Sequence, residues 1–178
     1  MTRDAELTRS KLLDAATTEF ATYGIAGARV DRISETAGVN KRMIYAYFGN
    51  KEQLFETVIG RSLEDLVDEV PLDEQDLPAY AGKLFDYLVA HPERRRLALW
   101  RQLEGPGLTT REIDSMQEKI ARIERARPQD GRLSGQAVLT FIMALVPAWP
   151  PPTAGTDAEL LANQRADVVE SVRRLTTP

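Results

Sequence analysis

The feature that most restricts this chain is the spacing of its apolar residues, which recur at intervals of three and four and nowhere alternate convincingly with period two. A period near 3.6 puts apolar side chains on one face of a helix, whereas a half-buried strand needs strict alternation. The pattern therefore predicts an all-α fold of about nine helices. At 178 residues and 43% hydrophobic content, the chain can bury a real core.

Leu12, Ala16, Phe20 and Tyr23 make one stripe, which Gly24 is suited to end; Val30, Ile33 and Ala37 make a second, stopped by Gly38. A third short helix covers Lys41 to Phe48 behind Asn40 as N-cap. Asn50 and Gln53 have capping-box spacing and open a helix through Leu54, Phe55, Val58, Ile59 and Leu66. Pro71, the polar residues 73–76 and Pro78 interrupt it, so a head over residues 1–49 is expected to join a body over residues 50–178 through a helix at 51–69. In the body, Leu84, Phe85, Leu88 and Val89 make a helix ending at His91-Pro92, and Leu97, Trp100 and Leu103 make the next, stopped at Gly105-Pro106-Gly107. Thr109 and Glu112 open a helix carrying Ile113, Met116, Ile120 and Ile123, which Pro128 to Gly131 ends. Leu133 to Ala148 is apolar nearly all round, which predicts burial on more than one side, and the tract Pro150 to Pro152 breaks it. Thr156 and Glu159 open the last helix, where Leu161, Val168 and Leu175 repeat every seven residues with Val169 and Val172 alongside.

Composition removes several kinds of chemistry. With no cysteine and one histidine, His91, the chain lacks the parts of a thiolate metal site, a thiol nucleophile or a serine triad, so no enzyme and no metal or other cofactor is expected. The longest apolar run, Ala137 to Val146 broken only by Thr140, is about half of the ~20 residues a membrane helix needs. No apolar leader segment opens the sequence, and a cytoplasmic protein is expected. The net charge of −4 speaks against a general nucleic-acid binder. Residues 1–60, however, hold eight Lys or Arg and eight Asp or Glu, so the acidity lies wholly in residues 61–178.

The informative stretch runs from Val30 to Phe48. Two short helices joined by a glycine-led turn of three or four residues form a helix-turn-helix, with Gly38 supplying the left-handed backbone and Val39 plugging the gap between the helices. With Ile44 turned inward, 100° per residue swings Arg42 and Ala46 to the opposite side, flanked by Lys41 and Tyr45 on one edge and Met43 and Tyr47 on the other. Arg can bond guanine bidentately, while Ala and Met can touch thymine methyls. Lys41, Lys51 and the two tyrosine hydroxyls suit phosphates, although a tyrosine ring equally suits packing.

Residues 7–59 resemble the N-terminal domain of the TetR (tetracycline-repressor) family of transcriptional regulators. The likeness rests on Phe20 with Gly24, Ile33-Ser34 with Ala37-Gly38-Val39, the string Ile44-Tyr45-Ala46-Tyr47-Phe48, and Asn50-Lys51-Glu52-Gln53-Leu54. It implies phosphate contacts from Tyr45, Tyr47 and Lys51 and base contacts from exposed residues between Lys41 and Ala46, hence Arg42 and Met43. Arg29 stands where the family usually has a hydroxylated cap; it and Arg32 are expected to offer cations to the DNA backbone. Arg42-Met43 also departs from the small or hydroxylated pair common in the family.

The resemblance further implies a repressor that binds a palindromic double-stranded operator as a homodimer and responds to a small-molecule effector. Dimerisation is expected through the last two helices, at Phe141, Leu145, Leu161, Val168, Val172 and Leu175. Phe85, Trp100, Arg101, Met116, Ile120 and Phe141 are candidates for an effector pocket, though aromatic and Met residues at helical spacing also suit plain core. The alternative is the same fold serving as a small-molecule or protein binding module without operator binding, which the acidic charge and the absent cap at Arg29 favour.

Overall fold

The structure, a computed structural model, describes residues 3–105, 107–127, 133–149 and 157–176. Among the described residues there are nine α-helices and no strand: α1 (Arg3–Gly27), α2 (Val30–Ala37), α3 (Lys41–Phe48), α4 (Lys51–Glu69), α5 (Leu77–Ala90), α6 (Pro92–Glu104), α7 (Thr110–Ala126), α8 (Gly135–Leu145) and α9 (Ala158–Thr176). A 3₁₀ turn, Val146–Ala148, follows α8. The all-α expectation is met. The breakers expected at Pro106, Pro128 to Gly131 and Pro150 to Pro152, and the cap expected at Thr156, lie outside the described residues.

The chain forms two compact units. One comprises Met1–Asp65 with Pro92–Gly107, the other Leu66–His91 with Leu108–Pro178. This differs from the division expected at residue 49. Most of α4 belongs with the head, and so does α6, because Leu97 is fully buried in the head's core beside Leu12, Phe20, Ile33, Ile44, Leu54 and Phe55. The rings of Phe20 and Phe55 meet edge to face at 5.1 Å, the arrangement that aromatic quadrupoles favour.

Gly24 does not end α1, as its spacing suggested, but kinks it. Its φ of 67° lies in the left-handed region, and one more turn follows to Gly27. A helix resuming after such a break has unpaired N–H groups, and α6 supplies their acceptor. The Glu104 carboxylate takes the amides of Ile25 at 2.9 Å and Ala26 at 3.2 Å. One turn earlier on α6, the Trp100 indole N–H donates to the Ala21 carbonyl at 3.2 Å. A Cβ at position 24 would stand 2.8 Å from the Trp100 ring, so both the backbone and the close approach of α6 call for glycine.

In the second unit α5 packs on α9, with Leu77, Tyr80, Ala81 and Leu84 in one buried cluster with Ile123, Val138, Ile142, Val168 and Val172. Arg165 and Asp86 pair at 2.8 Å at the rim of that contact. Thr109 and Glu112 form the reciprocal capping box their spacing predicted, and Ser134 caps α8 by accepting the Ala137 amide at 3.2 Å.

Candidate nucleic-acid interface

The turn between α2 and α3 is built by its ends. Gly38 adopts φ 63°, ψ 33°, and its N–H and that of Val39 close on the carbonyls of Glu35 and Ser34. Asn40 then starts α3, its side-chain oxygen accepting the Arg42 amide at 2.9 Å. Ile44 and Phe48 are buried in the head's core, which fixes the rotation of the helix. Arg42, Tyr45 and Ala46 are therefore exposed, as is Lys41, while Met43 and Tyr47 are half-buried at the edge. The exposed strip is one helix of eight residues, about 12 Å long at 1.5 Å per residue. It carries a planar cation able to bond two acceptors, a phenol and a methyl group, the mixture that major-groove edges and phosphates accept.

Two cations near this strip have ion partners. Lys41 pairs with Asp31 at 2.7 Å, and the hydrogen bond it donates to Asp31 holds the ammonium above its ordinary pKa. Both groups are well exposed, so the pair is weak and exchangeable. Arg32 is held more firmly. Glu19, 7% exposed on α1, accepts its Nε at 2.9 Å, and Arg32 Nη2 reaches the Gly27 carbonyl at 3.0 Å. The hydrogen bond with Glu19 raises the guanidinium's pKa, and the Arg32 headgroup lies 4.1 Å from the centre of the Tyr23 ring.

The bacterial regulatory proteins of the tetR family match residues 12–58, and the tetracyclin repressor-like C-terminal domain matches residues 76–174, more than half of the chain. The chain belongs to the TetR family. It is 42% identical to the HTH-type transcriptional repressor SCO4008 of Streptomyces coelicolor over 133 residues, a span covering 75% of this chain and 69% of that one. The HTH-type transcriptional repressor NicS of Pseudomonas putida is 39% identical over 98 residues, or 51% of this chain and 46% of NicS. The crystal structure of SCO4942 from Streptomyces coelicolor superposes with a TM-score of 0.82 at 32% identity, covering 96% of this chain and 98% of that one.

For this TetR-family chain, several expected site residues have partners within the chain. Arg32, expected at the DNA backbone, is bound to Glu19 because one turn of α2 brings it back over α1. Lys51, expected at a phosphate, turns to the end of α1 and donates to the Ile25 carbonyl at 2.7 Å. Those carbonyls have no partner within α1, so a cation at the helix end is stabilised there. Arg29 occupies the N-cap of α2 and is exposed; no side chain of its own caps that helix.

The expected pocket residues are likewise divided. Trp100 and Arg101 belong to the first unit, where Trp100 is committed to α1 and Arg101 donates to the Gly107 carbonyl at 2.7 Å. In the second unit Phe85 is core, Ile120 is half-buried, and Met116 and Phe141 are exposed. Of the expected dimer residues, Val168 and Val172 are buried inside the single chain, in the cluster that α5 and α9 share. A seven-residue repeat marks a seam without saying whose helix fills it. Leu145, Leu161 and Leu175 are half-buried. On α8 only the side of Val138, Leu139 and Ile142 is buried, and Phe141, Met143 and Ala144 stay open.

The residue that sequence reasoning missed is Glu19. Its signal was present: it lies seven after Leu12 and one before Phe20, on the side of α1 that faces the core. Among the described residues no cluster of three His, Cys, Asp or Glu could hold a metal, and no helix is long and apolar enough to cross a membrane.

Proposed function

We propose that this chain is a cytoplasmic transcriptional repressor that reads a palindromic operator as a homodimer and releases it when a small molecule binds the body. The observation that carries the reading is the rotation of α3, with Ile44 and Phe48 inward and Arg42, Tyr45 and Ala46 outward behind a capped, glycine-led turn. Arg42 takes a base edge and Met43 and Ala46 take methyl groups. Tyr45, Tyr47, Lys41 and Arg29 take phosphates, Lys41 by exchanging Asp31 for them. Repression follows SCO4008 and NicS, which are named as repressors.

Dimerisation uses the open sides of α8 and α9, where Phe141, Met143 and Leu160 are exposed apolar groups and Leu145 and Leu161 lie half-buried beside them. A two-fold dimer is what a palindromic site demands, with heads about 34–36 Å apart for adjacent major grooves. Met116, Ile120 and Phe141 are the candidates left for effector contact. α4 continues from one unit into the other, so a shift of its far end reaches the head.

The test is a titration of the full chain against the duplex upstream of its own coding sequence and against a scrambled duplex of the same length. Two chains should bind per site, with preference for the upstream duplex and affinity falling steeply with salt. Equal binding to both duplexes, or none, would sink the repressor reading.

A further inference from the structure

Glu19 has no role in the reading above, yet it bonds two residues at the start of α2, Arg29 and Arg32. A carboxylate is costly to bury unless it is paired and its oxygens are bonded. Glu19 Oε1 accepts the Arg29 backbone N–H at 2.7 Å and Arg32 Nε at 2.9 Å, and Oε2 accepts the same Nε at 3.1 Å. Arg32 Nη2 also bonds Oε1.

Two consequences follow from this arrangement. The first concerns α2, whose N-cap residue Arg29 has no capping side chain. Glu19 takes the N-cap amide from across the interface with α1, placing negative charge at the positive end of the α2 dipole. The second concerns Arg32, whose charge is neutralised at hydrogen-bond distance and whose face lies on the Tyr23 ring. A guanidinium held this way does not displace counterions from a duplex.

We infer that Glu19 is a positioning residue for operator reading: it pins the start of α2 to α1, so setting the angle at which α3 presents Arg42, and it withholds the Arg32 cation from phosphates, lowering non-specific affinity in favour of discrimination. The inference rests on the reading of α3 as the helix that enters the groove. Nothing in it requires Glu19 to touch DNA. It acts through Arg29 and Arg32 alone.

The test uses the full chain, the upstream and scrambled duplexes, and a series of salt concentrations, with far-UV circular dichroism as a check on helix content. In Glu19→Gln, Arg32 is released: binding to the scrambled duplex tightens, its salt slope rises by about 0.9 per head in contact, and discrimination falls at least about tenfold. Arg32→Met leaves the operator salt slope as in the wild type, and Glu19→Gln/Arg32→Met restores the slope on scrambled DNA while discrimination stays low. A slope that drops by about 0.9 per head in Arg32→Met makes Arg32 a phosphate contact and overturns the inference, and this arm decides the matter if Glu19→Gln loses helix content. Unchanged discrimination in folded Glu19→Gln overturns it as well. Wild-type protein that binds both duplexes alike refutes the sequence-specific reading of α3 itself, whereas a discriminating wild type matched by Glu19→Gln refutes only the assignment of Glu19.

Discussion

The two units seat their central helices by different means, although in the second unit the start of α8 is tied as helix ends are in the first, by the Gly135 N–H donating to Glu124 at 2.6 Å. In the head, helix ends are tied by directed hydrogen bonds: Glu19 to the start of α2, Lys51 to the end of α1, and Glu104 and Trp100 to either side of the Gly24 kink. In the body, α9 lies along α5 on apolar side chains, with Leu84, Val168 and Val172 inside and one ion pair, Arg165 with Asp86, at the rim. Hydrogen bonds weaken steeply with angle, so a helix tied by its end has one orientation. Apolar burial is non-directional and tolerates small sliding. A reading helix needs its side chains held within a fraction of an ångström, while the ligand response proposed for the body needs packings of similar energy.

The largest effect that could break this contrast belongs to the body. Leu84→Ala removes a side chain that is 1% exposed and should cost about 3 kcal/mol in denaturant unfolding. Operator affinity of the folded fraction should change little; a matching loss of discrimination would mean the head is not independently held. The next effect belongs to the kink. Gly24→Ala forces a side chain into the left-handed region and against Trp100, and should cost about 2 kcal/mol, read as a lowered unfolding midpoint with a change in Trp fluorescence.

Lys51→Met separates a strut from a phosphate contact. With its ammonium bonded to the Ile25 carbonyl, the substitution should cost about 1.5 kcal/mol of stability and leave the salt slope of DNA binding unchanged. A stable variant whose slope falls by about 0.9 per head would restore Lys51 to the phosphate. The smallest effect is one of pH. Glu74 is held below a glutamate's ordinary 4.5, chiefly by its hydrogen bond from Arg122, so the unfolded chain binds this proton more readily than the folded one. The contribution is complete above the ordinary carboxylate range and is lost as pH falls through the depressed value. Unfolding midpoints of the wild type should therefore decline more through that range than those of Glu74→Gln.

The head was largely legible in the sequence because its motif fixes face as well as helix: Gly38 permits one turn, and Ile44 and Phe48 then dictate which side of α3 is free. What escaped were the long-range ties. The place of Glu19 on the core side of α1 marks it for burial without naming α2 as its partner, and nothing in Trp100 announces α1, 79 residues away, as its own. In the body, periodicity gave the helices but not their neighbours. Val168 and Val172 have the spacing of a dimer seam and fill a seam with α5 instead, while α8, apolar on all sides, is covered on one. An apolar stripe records that something covers it, and only the fold or a second chain says what.

The central claim is that the outward side of α3 reads base edges, and Arg42→Ala tests it most directly. Measured at one salt concentration on the upstream and scrambled duplexes, the folded variant should lose about 10- to 100-fold in affinity for the upstream duplex for each head engaged, the cost of one bidentate base contact, with little change on scrambled DNA. Equal losses on both duplexes would make Arg42 a backbone contact, and no loss on either would remove α3 from the groove.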